Sequence, residues 1–137
     1  MSVGEGTDIA ALGGIPENFE VQNRVVQMEV LQEAQVFLSH CGMNSVNESL
    51  YCGVPLVMFP QTAEQNGVAN RVAALHAGVF LEENSAGAIR VAVQTVLADD
   101  TYKNSAAAIA ETFKRAGGAP AAADEIERCI KQTKGDA

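Results

Sequence analysis

Three short apolar runs, separated by stretches long enough for helices, constrain the fold of this chain most. Residues 36–38 (VFL), 54–59 (VPLVMF) and 79–81 (VFL) are apolar at every or nearly every position, as in strands that a parallel sheet buries on both faces. Parallel strands need long crossover connections, and helix-like stretches lie between these runs. The sequence therefore predicts an α/β fold, a Rossmann-like parallel sheet flanked by helices.

Weaker signals extend this plan toward both ends of the chain. Residues 19–21 are predicted as a further strand and residues 2–4 as the end of another, as though the chain opened partway through a strand. Gly53 and Gly78 are predicted to stop the two helices that precede them. The predicted helices cover residues 45–52, 63–76, a stretch from a cap at 84–85 to 99–100, a stretch from 102 toward 117, and a last one through 126–130.

Composition excludes several classes of function. The 137 residues, 47% hydrophobic and 19% charged, fit one globular domain. The net charge of −8 and the scattered basic residues argue against nucleic acid as a partner.

Cys41, Cys52 and Cys129 form no CxxC pair, so we expect reduced thiols and no zinc site. No run is long enough to span a membrane and the start does not resemble a signal peptide, so the cytoplasm is the expected location.

Two polar loops follow the first two predicted strands. The first, residues 39–45, contains Gly42, which permits close backbone approach, and then Asn44 and Ser45, which favour a helix start. The second loop, residues 60–65, also runs into a helix. Ligands of parallel sheets bind at the carboxyl ends of the strands, and helix amino termini bind phosphate. If the two strands are neighbours, both loops face one cleft.

These loops carry a family resemblance. The run HCGMNSVNESLYCGVPLVMFPQTAEQ contains the pattern His-x-Gly-x-Asn-Ser-x-x-Glu and then Pro-x-x-x-(Asp/Glu)-Gln. It resembles the donor-binding signature of the UDP-glycosyltransferase superfamily, especially its bacterial macrolide-glycosyltransferase-like branch, and the similarity covers nearly the whole chain. The resemblance implies the C-terminal half of a GT-B fold. It further implies that residues 1–137 are a single nucleotide-sugar-binding domain without its first strand and helix.

The resemblance also assigns candidate site residues. The implied diphosphate contacts are His40, Gly42, Asn44 and Ser45, the implied ribose contact is Glu48, the implied contacts of the transferred sugar are Glu64 and Gln65, and the implied uracil contacts are Gln27 and the backbone of Val25. Two positions depart from the family pattern. Arg24 stands where many members have an aromatic residue that stacks on uracil, and Val26 replaces a proline. An arginine plane can also stack on a base, so uridine binding stays predicted while base selectivity stays open.

The implied function is the donor-binding part of an enzyme that transfers a hexose from a UDP-sugar to a hydroxyl of a small acceptor such as a macrolide. The acceptor and the catalytic histidine of the family belong to an N-terminal domain that this chain lacks. No catalytic residue is therefore assigned here, and the chain alone is expected to be inactive. The resemblance implies neither a cofactor nor a metal.

Other interpretations of the same residues stay open. The chain could be the donor-binding subunit of a two-protein glycosyltransferase acting on a lipid-linked sugar, or an interaction domain that keeps the fold without the ligand. His40 could be an ordinary strand-end histidine, and Glu48 and Glu64 could be solvated helix carboxylates. Cys41 beside His40 could be a thiolate nucleophile, although no second general base or oxyanion partner is visible in the sequence.

Overall fold

The computed structural model describes residues 1–135, and within that range three parallel strands form one sheet in the order β1-β2-β3. The elements run, in chain order, as a short 3-10 helix Ile9–Leu12, then α1 Gln27–Glu33, β1 Phe37–Ser39, α2 Met43–Tyr51, β2 Leu56–Met58, α3 Ala63–Ala74, β3 Gly78–Phe80, α4 Ala86–Ala98, α5 Asp100–Arg115 and α6 Gly118–Gly135. The predicted parallel α/β architecture is confirmed.

Helices cover the sheet on both faces. On one face Leu56 and Met58 of β2 pack, fully buried, with α2, α3 and α5. On the other face Val57, also fully buried, packs against Ala92 and Val96 of α4. The central strand alternates between two apolar layers, which explains why its sequence is apolar at every position. Because β2 is buried at every position, its place in the core determines where the loops at its two ends begin.

The amino-terminal segment differs from the prediction. Neither residues 2–4 nor residues 19–21 form a strand, and a single parallel bridge joins Ser2 to Gln22. Backbone hydrogen bonds join the two stretches, from the Val3 amide to the Gln22 carbonyl and from the Gly4 amide to the Asn23 carbonyl, both at 3.0 Å. The side chain of Asn23 adds to them, since its Nδ2 donates to the carbonyls of Gly4 at 2.8 Å and Thr7 at 2.7 Å. One bridge gives no continuous ladder, and most of residues 1–22 are exposed. The apolar pattern there was too short to specify a strand.

Two helix boundaries also differ from the predictions. Helix α2 begins at Met43, two residues before the predicted start, so Asn44 and Ser45 lie in its first turn and do not cap it. Gly78 does not end α3. The left-handed residue after α3 is His76, with φ 53°, and Gly78 is the first residue of β3. By contrast Gly53, with φ 71°, follows α2 as predicted.

The short 3-10 helix Ile9–Leu12 and helix α1 were both absent from the sequence prediction. Helix α1 spans only seven residues, and no side chain caps its start at Val26. Its apolar anchor is Leu31, which is buried to 2% exposure. Short helices owe their stability mainly to packing, since local propensity rarely suffices. This helix places Gln27 beside α2.

Candidate functional site

The site begins with a tight turn between β1 and α2. Cys41 adopts a left-handed backbone with φ 68° and is completely buried, a conformation that costs a non-glycine residue of order 1 kcal/mol or more. The turn is held by the buried Ser39, whose Oγ accepts a hydrogen bond from the Cys41 amide at 3.1 Å. Gly42 is the residue that precedes α2, and no side chain caps this helix. The first amides of α2 therefore have no acceptor within the helix.

His40 lies directly over Gly42. A Cβ built on Gly42 would lie 2.9 Å from Nε2 of His40 and 3.7 Å from two ring carbons. The imidazole thus occupies the space that any other residue's side chain would enter, and the absence of a side chain at position 42 keeps the ring beside the helix start. His40 is exposed. It brings a hydrogen-bond donor to the uncapped end of α2.

A single depression collects most of the predicted phosphate and sugar contacts. It has a volume of about 430 Å³ and is lined by His40, Gly42, Met43, Asn44, Ser45 and Glu64. The first five come from the β1–α2 turn, while Glu64 comes from the first turn of α3. Strands β1 and β2 pair in parallel, with Ser39 opposite Met58. The prediction that both loops face one cleft is confirmed for these residues.

Gln65 is adjacent to this depression but faces its own loop. Its Oε1 accepts a hydrogen bond from the Gln61 amide at 2.8 Å, and its own amide donates to Oγ1 of Thr62, the cap of α3, at 3.3 Å. The side-chain NH₂ of Gln65 keeps two donor hydrogens besides these contacts. The loop is therefore rigid at the point where Glu64 enters the site.

The predicted nucleoside contacts form a second group, outside the depression. Nε2 of Gln27 donates to Oε2 of Glu48 at 2.7 Å, and both residues are half-buried. Arg24 is highly exposed, with Nη1 3.4 Å from Oε1 of Glu5. An exposed ion pair of this kind contributes little to stability. Val25 is half-buried between Arg24 and the start of α1.

Several residues that shape the site were not singled out from the sequence. Ser39 holds the turn, Thr62 caps α3, and Glu5 pairs with Arg24. The Thr62 cap had a sequence signal, a threonine just before a helical stretch with Glu64 in the first turn. The Glu5 contact spans 19 positions of sequence, so it depends on tertiary placement and had no such signal. The Ser39 contact is local, from the hydroxyl oxygen to the amide two residues on, a pattern common for serine in turns.

The cysteines differ strongly in their surroundings. Burial raises the pKa of the Cys41 thiol to about 11, which argues against the thiolate-nucleophile interpretation. Cys129 is exposed. We expect iodoacetamide at pH 8 to modify Cys129 first, Cys52 more slowly, and Cys41 far more slowly than either. The reagent must reach a completely buried sulfur at Cys41, and about one thousandth of a thiol with a pKa of about 11 is ionised at pH 8. Peptide mass spectrometry over time checks this order, and early labelling of Cys41 in the folded chain would contradict it.

Across residues 1–135 no three His, Cys, Asp or Glu side chains come together as a possible metal site. In the same part of the chain, no helix combines the length and apolar character needed to cross a bilayer.

Comparison with known proteins identifies the family. Residues 4–131 match the family model described as "Erythromycin biosynthesis protein CIII-like, C-terminal domain". The chain belongs to this EryCIII-like family. The predicted resemblance to the macrolide-glycosyltransferase-like branch of the UDP-glycosyltransferases is thereby confirmed, as is the assignment to the C-terminal half of a GT-B fold.

Relatives of this EryCIII-like domain are glycosyltransferases about three times its length. NDP-glycosyltransferase YjiC of Bacillus subtilis is 44% identical over 135 residues, which cover 97% of this chain and 34% of YjiC. The structure of CalG4, the calicheamicin glycosyltransferase, superposes with a TM-score of 0.86 at 32% identity, covering 93% of this chain and 33% of that one. Os79 T291V from O. sativa, solved in complex with UDP, gives a TM-score of 0.69 at 27% identity, covering 82% and 28%. Neither the family nor these relatives support the two-protein alternative.

Proposed function

We propose that this EryCIII-like domain holds the UDP-sugar donor of a glycosyltransferase that transfers a hexose to a hydroxyl of a small molecule such as a macrolide. The observation that carries the proposal is the meeting of His40, the uncapped start of α2 and Glu64 in one depression. The glycosyltransferase activity named for the relatives supports it, as does the UDP bound to Os79.

The diphosphate is proposed to bind at the start of α2. The first backbone amides of α2 have no hydrogen-bond acceptor within the helix. The helix dipole also places about half a positive charge at this end. His40, Asn44 and Ser45 supply further donors around the same point. Negative charge develops on the UDP leaving group as its bond to the sugar breaks, and donors already in place stabilise that charge. This arrangement requires no metal, and we propose that none is used.

The hexose is proposed to lie between the phosphate site and α3. The carboxylate of Glu64 would repel a phosphate but accept hydrogen bonds from sugar hydroxyls, so its place in the depression favours a sugar on that side. Gln65 would donate from its NH₂ to a neighbouring hydroxyl, because its Oε1 is already held by the Gln61 amide. The sugar would then be bound by one acceptor and one donor.

The nucleoside is proposed to lie over the amino-terminal end of α1. Glu48 lies one turn beyond Asn44 on the same face of α2, where it can accept from the ribose hydroxyls. Arg24 can stack its guanidinium plane on the base, and its salt bridge to Glu5 is weak enough to be exchanged for that contact. The backbone of Val25 is proposed to meet the edge of the base.

We propose that catalysis requires parts of the enzyme beyond the third that this chain covers. The chain spans about one third of the length of the relatives it matches, and none of its proposed donor contacts is a general base for an acceptor hydroxyl. Net charge of −8 opposes the approach of an anionic nucleotide, and the local donors only partly offset it. We therefore predict weak UDP binding and no sugar transfer by the chain alone.

The test is a two-dimensional amide NMR titration of the ¹⁵N-labelled chain with UDP and, separately, with ADP at millimolar concentration. For UDP we expect shifts confined to Gln27, the segment 40–48 and the Glu64–Gln65 pair, with smaller effects for ADP. Amides of α4, on the opposite face of the sheet, serve as the internal control and should not shift. The absence of UDP-dependent shifts, or shifts spread equally over α4, would contradict the proposal.

A further inference from the structure

A second cavity lies between α2, α3 and α5, beside the depression at His40. It has a volume of about 350 Å³, and in the described part of the chain Met43 is the one residue that lines both spaces. Apolar side chains form most of its wall, and Val46, Leu50 and Val72 in that wall are each at most 5% exposed. None of the proposed donor contacts lines this cavity. It is therefore a separate apolar space that the proposed function leaves unused.

Gly67 forms part of the cavity wall in the middle of α3. Glycine inside a helix costs stability relative to alanine, because it loses more conformational freedom on folding. Packing does not require glycine here, since a Cβ at position 67 would meet nothing within 4 Å. Its backbone does not require glycine either, because its φ is not positive. The missing side chain thus keeps open a space that the fold itself does not use.

Arg71 supplies the positive charge of the cavity. It follows Gly67 by four residues on α3, and no other charged residue in the described part of the chain lines the cavity. Its guanidinium forms no ion pair within residues 1–135. An arginine beside an apolar space favours a carboxylate ligand, because its planar fork can bind both carboxylate oxygens at once. The cavity therefore combines an apolar wall with one anion-binding group.

The size of the cavity limits the ligand that it can hold. A cavity of about 150 Å³ binds a benzene ring, so about 350 Å³ gives room for two fused rings. A rigid aromatic body also loses little conformational freedom on binding. We propose that this cavity binds a two-ring aromatic carboxylate, with the rings between α2, α3 and α5 and the carboxylate on Arg71. The proposal does not rest on the proposed function, because no donor contact takes part in it.

Amide NMR titration of the ¹⁵N-labelled chain with 2-naphthoate, and with its neutral isostere 2-naphthamide, tests this site. For the wild type we expect shifts centred on residues 67–72 and 109–113. We also expect 2-naphthoate to bind about fivefold more tightly than 2-naphthamide, the scale of one arginine–carboxylate pair open to solvent. Arg71→Met should make the two affinities equal and leave that for 2-naphthamide unchanged. The matched control is Arg90→Met, an exposed arginine on α4, which should bind both ligands as the wild type does.

Gly67→Leu tests the cavity itself. Leucine forms helices better than glycine, so this variant should be at least as stable as the wild type, which urea denaturation checks. The new side chain would occupy the cavity, so both ligands should bind about tenfold or more weakly, the scale of overpacking a filled site. UDP affinity should stay unchanged, because Gly67 lies outside the depression.

Several results would overturn the proposal. A wild type that binds neither ligand, or binds both equally, would show that the cavity does not select an apolar anion. Binding of 2-naphthoate that persists in Gly67→Leu and is displaced by UDP would place the carboxylate at the start of α2 instead. A dimer that sedimentation detects in the wild type but not in Gly67→Leu would identify a second copy of the chain as the occupant. Failure to bind UDP would remove only the proposed function and leave this inference standing.

Discussion

Replacing Gly78 by alanine is expected to destabilise the fold by about 2–4 kcal/mol, the range of severe overpacking. Gly78 begins β3 and pairs with Leu56 of the central strand. A Cβ at this position would lie 2.4 Å from the Leu56 carbonyl oxygen and 3.2 Å from its Cβ. The contact is with backbone in a fully buried strand, so neither side can withdraw without distorting the sheet. Such a loss is a large fraction of the stability of a small domain.

Urea denaturation followed by far-ultraviolet circular dichroism measures this effect. The matched control is Gly67→Ala in the middle of α3, where an added Cβ meets nothing within 4 Å. Alanine there should raise the free energy of unfolding by about 0.5–1 kcal/mol through helix propensity. Equal midpoints for Gly78→Ala and the wild type would show that β2 and β3 are not as closely apposed as described.

Replacing Gly42 by alanine is expected to act on ligand binding far more than on stability. The added Cβ would lie 2.9 Å from Nε2 of His40, the far end of a flexible side chain that can swing away. We therefore expect the free energy of unfolding to fall by less than about 1 kcal/mol, mainly because alanine is a poor residue before a helix. UDP affinity should fall about tenfold or more, the equivalent of one or two lost hydrogen bonds to a charged group. Both the displaced imidazole and the new methyl group would disturb the proposed phosphate site.

Calorimetric titration with UDP and urea denaturation of the same sample separate the two effects. Gly67→Ala again serves as the control, since it lies outside the depression and should leave UDP affinity unchanged. Undiminished binding by Gly42→Ala would exclude His40 from the phosphate contacts. A collapse of stability in parallel with binding would indicate that the turn itself, and not the position of the ring, had been changed.

The sequence was sufficient for those parts of the fold in which local pattern and burial agree. The apolar runs around Phe37, Val57 and Val79 located all three strands to within one or two residues at each end. The central strand β2 is buried at every position, while the outer strands β1 and β3 each leave one side chain exposed, Leu38 and Phe80. Ser85 was predicted as a cap and accepts a hydrogen bond from the Ala88 amide. The end of α2 was also predicted correctly, because Gly53 adopts the positive φ that the position after a helix requires.

The parts that sequence did not predict depend on tertiary contacts. The left-handed residues Cys41 and His76 are not glycines. The preference for glycine at a helix end therefore predicted Gly78, and not His76, as the residue that ends α3. Helix α1 is too short for its periodicity to be recognised, and the Gln27–Glu48 bond spans two elements. The family resemblance predicted the candidate site as a set of residues. Only the structure shows that the set divides into the depression beside His40 and the separate Gln27–Glu48 pair.

The pairing of β1 with β2 has a consequence for how the specificity of such a domain can change. The last hydrogen bond between these strands runs from the Phe59 amide to the Ser39 carbonyl at 2.8 Å, immediately before both loops. A slip of one residue in this register would displace Glu64 from His40 by about 3.3 Å and exchange the side chains of β2 between the two apolar layers of the core. The separation between the proposed phosphate and sugar contacts is therefore set by the hydrophobic core. Selection for a different sugar can act on side chains of the two loops, but it cannot adjust the spacing between them without unfolding the domain.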